Sequence, residues 1–506
     1  MLGPVRITGT SPGPTSPNTE TSNRSRNAAG SRLWQCTGGL FPQRRRHSIR
    51  PAENSTLDIR HVIGIGTPKA VDLWLDVVTE LPDRARELGS LSKAELGKLG
   101  PLLDGTNAVE LFESIDDKLA AEALHAMDPS LAATFLEALD SDHAANILRE
   151  FKEPKREALL TLLPLERAMV LRGLLSWPED CAAAHMVPET LTVRPNMTVS
   201  QAVASVRERA SGLRSDARTT AYVYVTDADS HLLGVIAFRA LVLANPEQRV
   251  RELMGDDLIV VSPLTDKELA AQTIMGHNLM AVPVVDADNR LLGIIAEDEA
   301  IDIAEEEATE DAERQGGSAP LEVPYLRASP WLLWRKRVVW LLVLFAAEAY
   351  TGSVLRAFSD EMEAVIALAF FIPLLIGTGG NTGTQIATTL VRAMATGQVR
   401  FRDVPAVLAK ELSTGVLVGL TMAAAAVVRA WTLGVGPQVT LTVALTVAAI
   451  VVWSSLVAAV LPPLLKKLRI DPAIVSGPMI ATIVDGTGLL IYFLVAHLTL
   501  TELHGL

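Results

Sequence analysis

The chain has 506 residues, of which 49% are hydrophobic and 20% are charged, and it carries a formal net charge of −13. This length predicts two to four folded units, and the acidic balance argues against nucleic acid as a partner and favours metal cations. The two cysteines, Cys36 and Cys181, indicate no disulfide framework, and no Cys/His spacing matches a zinc site.

The charge is distributed unevenly along the chain. Residues 1–60 contain nine Lys and Arg against three Asp and Glu, whereas residues 61–334 contain 24 against 46, a net of −22. Residues 335–506 contain 12 against 9 and are strongly apolar. An acidic half therefore precedes an apolar half, which predicts a multi-domain membrane protein.

Residues 1–60 are rich in Ser, Pro, Gly, Asn and Arg, and they lack the apolar stretch of a secretory signal. This composition favours a disordered tail, because it provides few apolar side chains for a core. A transit peptide and an over-extended reading frame are the alternatives.

Residues 61–185 are predicted to form an all-α domain in the cytosol. The stretch ALHAMDPSLAATFLEALDSDHAANILREF places apolar residues at three-to-four spacing, which is typical of amphipathic helices. Asp-Pro-Ser and Asp-Ser-Asp occur where helix N-caps are needed.

Residues 186–300 contain an internal repeat. Residues 221–242 align without gaps on residues 280–301, with ten of 22 positions identical at a spacing of 59. Each copy reads as a strand, an Asp-Ala-Asp turn, a second strand and a helix. The repeat resembles a tandem pair of CBS domains, which implies two α/β units packed together. The resemblance also makes this pair a candidate site for ATP, since such pairs commonly bind adenosyl ligands.

Residues 301–330 are predicted to form an acidic connecting helix, and residues 331–506 a bundle of five membrane spans. Each apolar segment reaches the roughly 20 residues that a span requires. The segments are 338–357, 362–395, 405–431, 437–463 and 472–500.

Basic residues in the short flanks predict the orientation. With the N-terminus in the cytosol, ten basic residues lie inside and two outside, as the positive-inside rule requires. The inside residues are Arg335, Lys336, Arg337, Arg392, Arg400, Arg402, Lys410, Lys466, Lys467 and Arg469, and the outside residues are Arg356 and Arg429. The C-terminus then lies outside a cell membrane.

Carboxylates within membrane spans are costly and are therefore candidate functional residues. Asp485 lies about 14 residues into the last predicted span and is flanked by small residues. A protonated Asp that bonds to a neighbouring helix is the alternative. Asp471, before Pro472, is explained by an N-cap, with attraction of cations at a pore mouth as a second role. Glu348 is a further carboxylate within a predicted span. Its presence there would also be explained by pairing with a basic group.

The stretch IGTGGNTGTQ, residues 376–385, interrupts an apolar run. Its glycines either expose backbone carbonyls or allow close helix packing. Asn381 and Gln385 lie one helical turn apart and provide amide oxygens. Ligand sets made only of oxygen suit hard cations such as Mg²⁺ and Ca²⁺.

The segments FFIPLLIGTGGNTGTQIATTLVRAMATGQ and DPAIVSGPMIATIVDGTGLLIYF closely resemble the MgtE magnesium channel family. The order of helical domain, CBS pair, acidic helix and five spans also resembles that family. The resemblance implies a homodimer in the lipid bilayer, with the ion path on its two-fold axis. It implies that Asp485 holds hydrated Mg²⁺ and that Ala481 lends a backbone oxygen. The predicted pore residues are Asp485, Ala481, Gly380, Asn381, Gln385 and Asp471.

The acidic helix predicts gating by cations. Like charges four residues apart on a helix repel, so a divalent ion would favour a compact, closed arrangement. A solvated acidic face is the alternative. The resemblance implies that regulatory Mg²⁺ binds here and that the helix plugs the pore. The predicted metal ligands are Asp485, Asp142, Asp266, Glu268, Glu299, Asp302, Glu306, Glu307, Glu310 and Asp311.

Several positions depart from the family pattern. His143 and Asn146 stand where the family has Asp, as does Asn278, which predicts weaker or fewer regulatory sites. Ala296 and Glu299 replace the usual Thr and Asp at the ribose position of CBS domains, which argues against nucleotide binding.

The predicted function is therefore a Mg²⁺ channel closed by cytosolic Mg²⁺. The alternatives are a CBS-regulated transporter of another substrate, such as Co²⁺ or an osmolyte, and a non-conducting sensor of ions or nucleotides. No catalytic arrangement and no GxxxxGK[ST] motif is legible, so an enzyme and a primary pump are disfavoured.

Overall fold

The computed structural model describes residues 5–7, 58–210, 221–474 and 477–503. The predicted tail, residues 1–60, lies almost entirely outside this part of the chain. Residues 5–7 form a short strand, β1 (Val5–Ile7), that pairs antiparallel with residues 258–260. These three residues differ from the predicted disordered tail, because they pair with this strand.

Ten helices form the described part of the N-terminal unit, which confirms the predicted all-α domain. Asp128 caps one of them, since its side chain accepts a hydrogen bond of 2.9 Å from the Ser130 amide. Ser92 and Glu95 form a capping box at another. The helices are α1 (Ile59–Ile65), α2 (Pro68–Val77), α3 (Leu81–Gly89), α4 (Lys93–Leu99), α5 (Gly105–Glu113), α6 (Asp117–Ala126), α7 (Pro129–Ala138), α8 (Ser141–Arg149), α9 (Glu153–Leu162) and α10 (Leu165–Leu175).

The repeated region folds as two α/β units. The first has β2 (Thr192–Val193), α11 (Val199–Ala210), β3 (Tyr222–Thr226), β4 (Leu232–Ala237) and α12 (Phe238–Leu243). The second has β5 (Leu258–Val260), α13 (Lys267–His277), β6 (Ala281–Val285) and β7 (Leu291–Ala296). This arrangement confirms the α/β pair.

The two hairpins of this pair have the same register. Tyr222 pairs with Ala237 in the first hairpin, and Ala281 pairs with Ala296 in the second, so the sequence repeat is a structural repeat. Gly293 is required for packing, because a Cβ there would lie 2.7 Å from the Val187 carbonyl oxygen.

The acidic helix α14 (Glu297–Gln315) begins four residues before the predicted start at residue 301. It ends 15 residues before the predicted end at residue 330. Residues 316–329 are not a helix, so the prediction of one connecting helix over 301–330 is wrong for this stretch. The reason is local, since Gly317 has φ of 76° and Pro320 and Pro324 follow.

In the part of the chain that the structure describes, five helices are long and apolar enough to cross a membrane, which agrees with the predicted count. They comprise α15 (Pro330–Ala357), α17 (Ile372–Ala395) with the 3₁₀ turn Ile366–Phe371 before it, α18 (Val404–Leu433) with the 3₁₀ turn Phe401–Asp403 before it, α19 (Pro437–Lys467) and α20 (Gly477–Thr499). A short helix α16 (Ser359–Ala364) precedes the second span. Helix α19 is the most buried and packs against α17, α18 and α20.

Candidate metal-ion sites

Asp485 lies on α20, three residues before Gly488, which is the midpoint of this helix. The helix begins at Gly477 rather than at Pro472, because Asp471 caps a separate 3₁₀ turn, Pro472–Ile474. Asp485 is therefore nearer the start of its helix than predicted and still near its middle.

The carboxylate of Asp485 is half-buried and has no basic partner. Within the described residues its Oδ1 is buried and makes no hydrogen bond, and Asp485 forms no ion pair. The nearest charge that acts on it is the like charge of Glu348. The alternative of an Asp bonded to a neighbouring helix is therefore absent from this arrangement of the described residues.

Three of the four glycines of residues 376–385, Gly379, Gly380 and Gly383, serve close packing of α17 against α19 and α20. A Cβ on Gly380 would lie 3.2 Å from Ala481 Cβ and 3.7 Å from Asp485 Oδ1. A Cβ on Gly379 would lie only 2.7 Å from Val484 Cγ1. The whole stretch is regular helix, so its carbonyls are used within α17. Of the two interpretations of these glycines, close packing is the one that the structure adopts, and Gly380 provides space beside Asp485.

Asn381 and Gln385 follow Gly380 on an uncovered face of α17. Both side chains are exposed, and neither makes a hydrogen bond within the described part of the chain. Their amide groups are thus available to a second copy of the chain or to a ligand.

Asp471 connects the cytosolic half to the membrane half. Its Oδ1 accepts a hydrogen bond of 2.8 Å from the Ala473 amide, as expected of an N-cap. Its other oxygen forms an ion pair with Arg314, which also pairs with Glu310. Arg314 was not among the predicted site residues, because its partner lies 157 positions away in the chain.

The start of α13 and the middle of α14 form a first cluster of carboxylates. Burial, together with Glu307 and Asp311, raises the pKa of Glu268 to about 7. Burial also raises the pKa of Glu307, and burial together with the like charge of Asp471 raises the pKa of Asp311. This crowding of carboxylates resists ionisation, which is the condition that a bound cation would relieve.

A lysine partly neutralises this first cluster. Lys267 Nζ lies 2.9 Å from Glu306 Oε2 and 3.3 Å from Glu307 Oε1. Asp266 points elsewhere, since its Oδ1 accepts from the amides of Glu268 and Leu269 as the N-cap of α13. Lys267 was missed by sequence reasoning, because a basic residue within an acidic pattern is usually a solvated one.

A second cluster lies where the helical domain meets the second α/β unit. Burial, together with Glu299, raises the pKa of Asp142 to about 7, and burial raises that of Asp117 to about 6. Burial opposes the charged form of His143, but Asp117, Asp142 and Glu299 outweigh it and raise its pKa. Burial and Glu299 also raise the pKa of Asp302.

Glu299 in this cluster is held by a histidine. His185 Nδ1 lies 2.7 Å from Glu299 Oε1, and its Nε2 lies 2.9 Å from the Glu179 carbonyl oxygen. A carbonyl and an ionised carboxylate only accept hydrogen bonds, and each faces one ring nitrogen of His185. Two protons are therefore needed, so either the imidazole carries both or Glu299 carries one of them. Asp117 and His185 were not predicted, although Asp117 follows the N-cap Asp116 and is thus a carboxylate that capping does not explain.

Three side chains in the first α/β unit also lie close together. Asp227, Asp229 and His231 each place a ligand atom within 4.8 Å of the others. Asp227 Oδ1 accepts from the amides of Asp229 and His231, and Asp286 does the same in the second hairpin. The turn itself therefore explains this group.

Family models match the helical domain, the second α/β unit and the membrane helices from α17 onwards. The family model described as a divalent cation transporter, MgtE, matches residues 372–495. The MgtE intracellular N domain matches residues 79–180, and the CBS domain matches residues 250–306. The magnesium transporter MgtE of Thermus thermophilus is 41% identical over 337 residues, which cover 67% of this chain and 74% of that protein. The chain belongs to the MgtE family of magnesium transporters.

Another relative agrees with this assignment, and a solved structure is similar to part of the chain. The magnesium transporter MgtE of Enterococcus faecalis is 32% identical over 339 residues, which cover 66% of this chain and 72% of that protein. A solved structure of the cytosolic domain of the Mg²⁺ channel MgtE in complex with ATP is 27% identical, covers 49% of this chain and 99% of that chain, and has a TM-score of 0.37. MgtE relatives are named as transporters, which confirms the prediction of a non-enzymatic, multi-pass membrane protein.

Proposed function

We propose that this MgtE protein conducts Mg²⁺ through a pore on the two-fold axis of a homodimer in the plasma membrane. Mg²⁺ that binds its acidic cytosolic clusters closes the pore. The single observation that carries this proposal is Asp485, a half-buried carboxylate near mid-membrane that no basic residue neutralises.

An unpaired carboxylate in a membrane requires compensation. A charged side chain at the bilayer centre costs roughly 3 kcal/mol or more, so such residues face a cavity or a partner. A hydrated divalent cation between Asp485 and its symmetry mate would neutralise both. Mg²⁺ gives up its waters reluctantly, so carboxylates arranged around those waters suit it better than a cage of protein ligands.

The exposed amides of α17 support the dimer. Asn381 and Gln385 would face lipid in a single chain, and an amide without a hydrogen-bond partner costs free energy there. A two-fold axis beside α17 and α20 would place these amides and Asp485 of both chains around one water-filled path. Ala481 packs against Gly380 on this same crossing, and we propose that its carbonyl contributes to the ion site.

The two cytosolic clusters support closure by Mg²⁺. The proposed regulatory ligands of the first cluster are Glu268, Glu306, Glu307, Glu310 and Asp311, and those of the second are Asp142, Glu299 and Asp302. Binding of a divalent ion would favour the compact arrangement seen here, in which Arg314 connects α14 to Asp471. In this proposal Asp266 acts as the N-cap of α13 rather than as a metal ligand. Asp471 acts as the ion-pair partner of Arg314.

Adenosine nucleotides do not suit the CBS pair of this chain. Ala296 has no hydroxyl, and the Glu299 carboxylate at the expected ribose position is bound by His185 at 2.7 Å. We therefore propose regulation through Mg²⁺ without ATP at this position.

The orientation follows the basic flanks, with the N-terminal domains in the cytosol and the C-terminus outside. Ten inside residues against two outside support it. The proposal places α14 and both carboxylate clusters in the compartment whose Mg²⁺ level they would sense.

Complementation of a Mg²⁺-auxotrophic cell tests the conducting role. We expect wild type to restore growth at low external Mg²⁺ and Asp485→Ala to fail at equal expression. Asp360→Ala is the matched control, because it removes an exposed carboxylate outside the spans and should retain growth. Rescue of growth by Asp485→Ala would overturn the assignment of the pore. A wild-type protein that responds to cytosolic Mg²⁺ but carries no Mg²⁺ flux would favour the alternative of a non-conducting sensor.

Selectivity is tested on the same cells. A Mg²⁺ pathway predicts that Co²⁺ competes weakly for uptake of isotopic Mg²⁺. Competition at equal concentrations would support the alternative of a transporter of another divalent cation.

A further inference from the structure

A cavity of about 680 Å³ opens in the helical domain between α4, α6 and the start of α9. This volume lies in the range of small-molecule binding sites, which is roughly 300–1,000 Å³. Its wall carries four lysines, Lys93, Lys118, Lys152 and Lys155, whereas residues 61–334 as a whole have a net charge of −22. A basic cavity in so acidic a region requires an explanation.

One side of the cavity is apolar and includes two stacked rings. The rings of His125 and Phe151 are stacked with centroids 6.2 Å apart and an interplanar angle of 23°. Phe151 is buried, as are Leu91 and Leu96, which also line the cavity. Lys155 Nζ lies 5.7 Å from the centroid of the Phe151 ring. The cavity therefore joins an apolar aromatic wall to a basic rim.

The positive charge of the rim is only partly neutralised by the protein. Lys93 and Lys152 make no ion pair or side-chain hydrogen bond within the described residues. Glu122 does not pair with these lysines in the described part of the chain. Its Oε2 lies 3.0 Å from Nη2 of Arg327, which binds it. Glu150 remains as one opposing charge and interacts with Lys118.

The cations of the rim also repel one another. Burial and the neighbouring Lys93 lower the pKa of Lys155, and burial with Lys155 and Lys93 lowers that of His125. Helix α9 starts directly at the rim, and its N-cap residue Lys152 provides no side-chain cap.

We propose that this cavity binds a phosphate-bearing anion of nucleotide size. The phosphates lie on Lys93 and Lys152, and the planar group lies against His125 and Phe151.

The cavity shares two residues with the segment that leads into the first membrane helix. Lys118 Nζ lies 3.8 Å from Glu322 Oε2, and Glu122 holds Arg327. An anion in the cavity attracts Lys118 and competes with Glu322 for it. Occupancy of the cavity therefore weakens the attachment of residues 318–329 to the helical domain.

Binding is measured on the full chain in lipid nanodiscs by calorimetry, at constant free Mg²⁺. The probes are ADP, inorganic pyrophosphate and adenosine. The test variant is Lys93→Glu with Lys152→Glu, and the matched control is Lys69→Glu with Lys98→Glu, which makes the same charge change on exposed lysines of the same domain outside the cavity.

We expect wild type and the control to bind ADP, and the cavity variant to bind at least tenfold more weakly. Adenosine should bind far more weakly than ADP, and ADP should increase amide exchange in residues 318–329. Equal ADP affinity in the cavity variant and the control would overturn the proposal, because the nucleotide would then lie elsewhere, as at the CBS pair. Pyrophosphate that binds as tightly as ADP would overturn the aromatic part of the assignment.

Discussion

Arg314 near the end of the acidic helix forms an ion pair with Asp471, the residue that caps the turn before the last membrane helix. It joins the first carboxylate cluster, through α14, to the turn that precedes the helix that carries Asp485. We expect a change in the position of α14 to act on this turn.

Loss of this ion pair should weaken closure of the pore. Both side chains are about one-third exposed, so the pair contributes about 1 kcal/mol or less. We expect Arg314→Ala to require up to about fivefold more cytosolic Mg²⁺ for half-closure, measured by patch clamp of inside-out membranes. Arg314→Lys is the control, since it keeps the charge. Unchanged Mg²⁺ sensitivity in Arg314→Ala would show that the pair has no role in gating.

The second carboxylate cluster predicts a pH dependence of stability. The pKa of Asp142 is raised from 3.8 to about 7 by burial and Glu299, so the folded chain holds a proton that the unfolded chain releases near pH 4. Stability should therefore fall as pH rises from about 4 to about 7. The raised pKa of His143 acts in the same direction, because its stabilising positive charge is lost at higher pH.

Thermal unfolding of the full chain in Mg²⁺-free buffer at pH 5 and pH 7.5 measures this effect. We expect the transition of the cytosolic part to occur at a lower temperature at pH 7.5, and the loss to be smaller with millimolar Mg²⁺. Asp142→Asn should reduce the pH effect. A wild-type unfolding temperature that rises with pH would contradict the raised pKa of Asp142.

The glycine contacts of α17 predict a sharp difference between two similar substitutions. A Cβ on Gly383 would collide with Ile480 Cγ2 and lie 2.7 Å from Ser454 Oγ, whereas a Cβ on Gly377 meets no atom within 4 Å. We expect Gly383→Ala to destabilise the membrane domain by about 1–3 kcal/mol. Gly377→Ala should be neutral or slightly stabilising.

Fluorescence-detected size-exclusion chromatography after heating compares these two variants. A lower melting temperature for Gly383→Ala only is the expected result. Equal melting temperatures would mean that α17 and α20 do not pack this closely.

The proposed two-fold axis predicts cross-linking at Asn381. In a background with Cys36→Ser and Cys181→Ser, Asn381→Cys should form a disulfide-linked dimer on mild oxidation in membranes. Trp431→Cys is the control, because Trp431 is 79% exposed on α18 and should face lipid. A cross-link at position 431 with none at 381 would place the dimer contact on a different face.

Several parts of the fold were predictable from local pattern. The five spans, the helical domain and the repeated hairpins each depend on a periodicity or a length that is local in sequence. Errors occurred at boundaries, as at residues 316–329 and at the start of α20. There, Gly317, the following prolines and the cap at Asp471 determine where helices end.

The candidate sites were predictable only in part. Acidic and intramembrane residues stand out by composition, so Asp485 and the carboxylates of α14 were predicted as site residues, and their roles stay predictions. Lys267, Arg314, His185 and Asp117 were not, because each acquires its role from a residue far away in the chain.

The amino-acid sequence by itself determined that this is a five-span membrane protein with an acidic half before its spans, since chain length, hydropathy and charge act locally. The tertiary structure decided which use the glycines of α17 serve and which carboxylates are crowded or paired. The physical reason is that electrostatic energy and close packing depend on distances between side chains, and only the folded chain sets those distances.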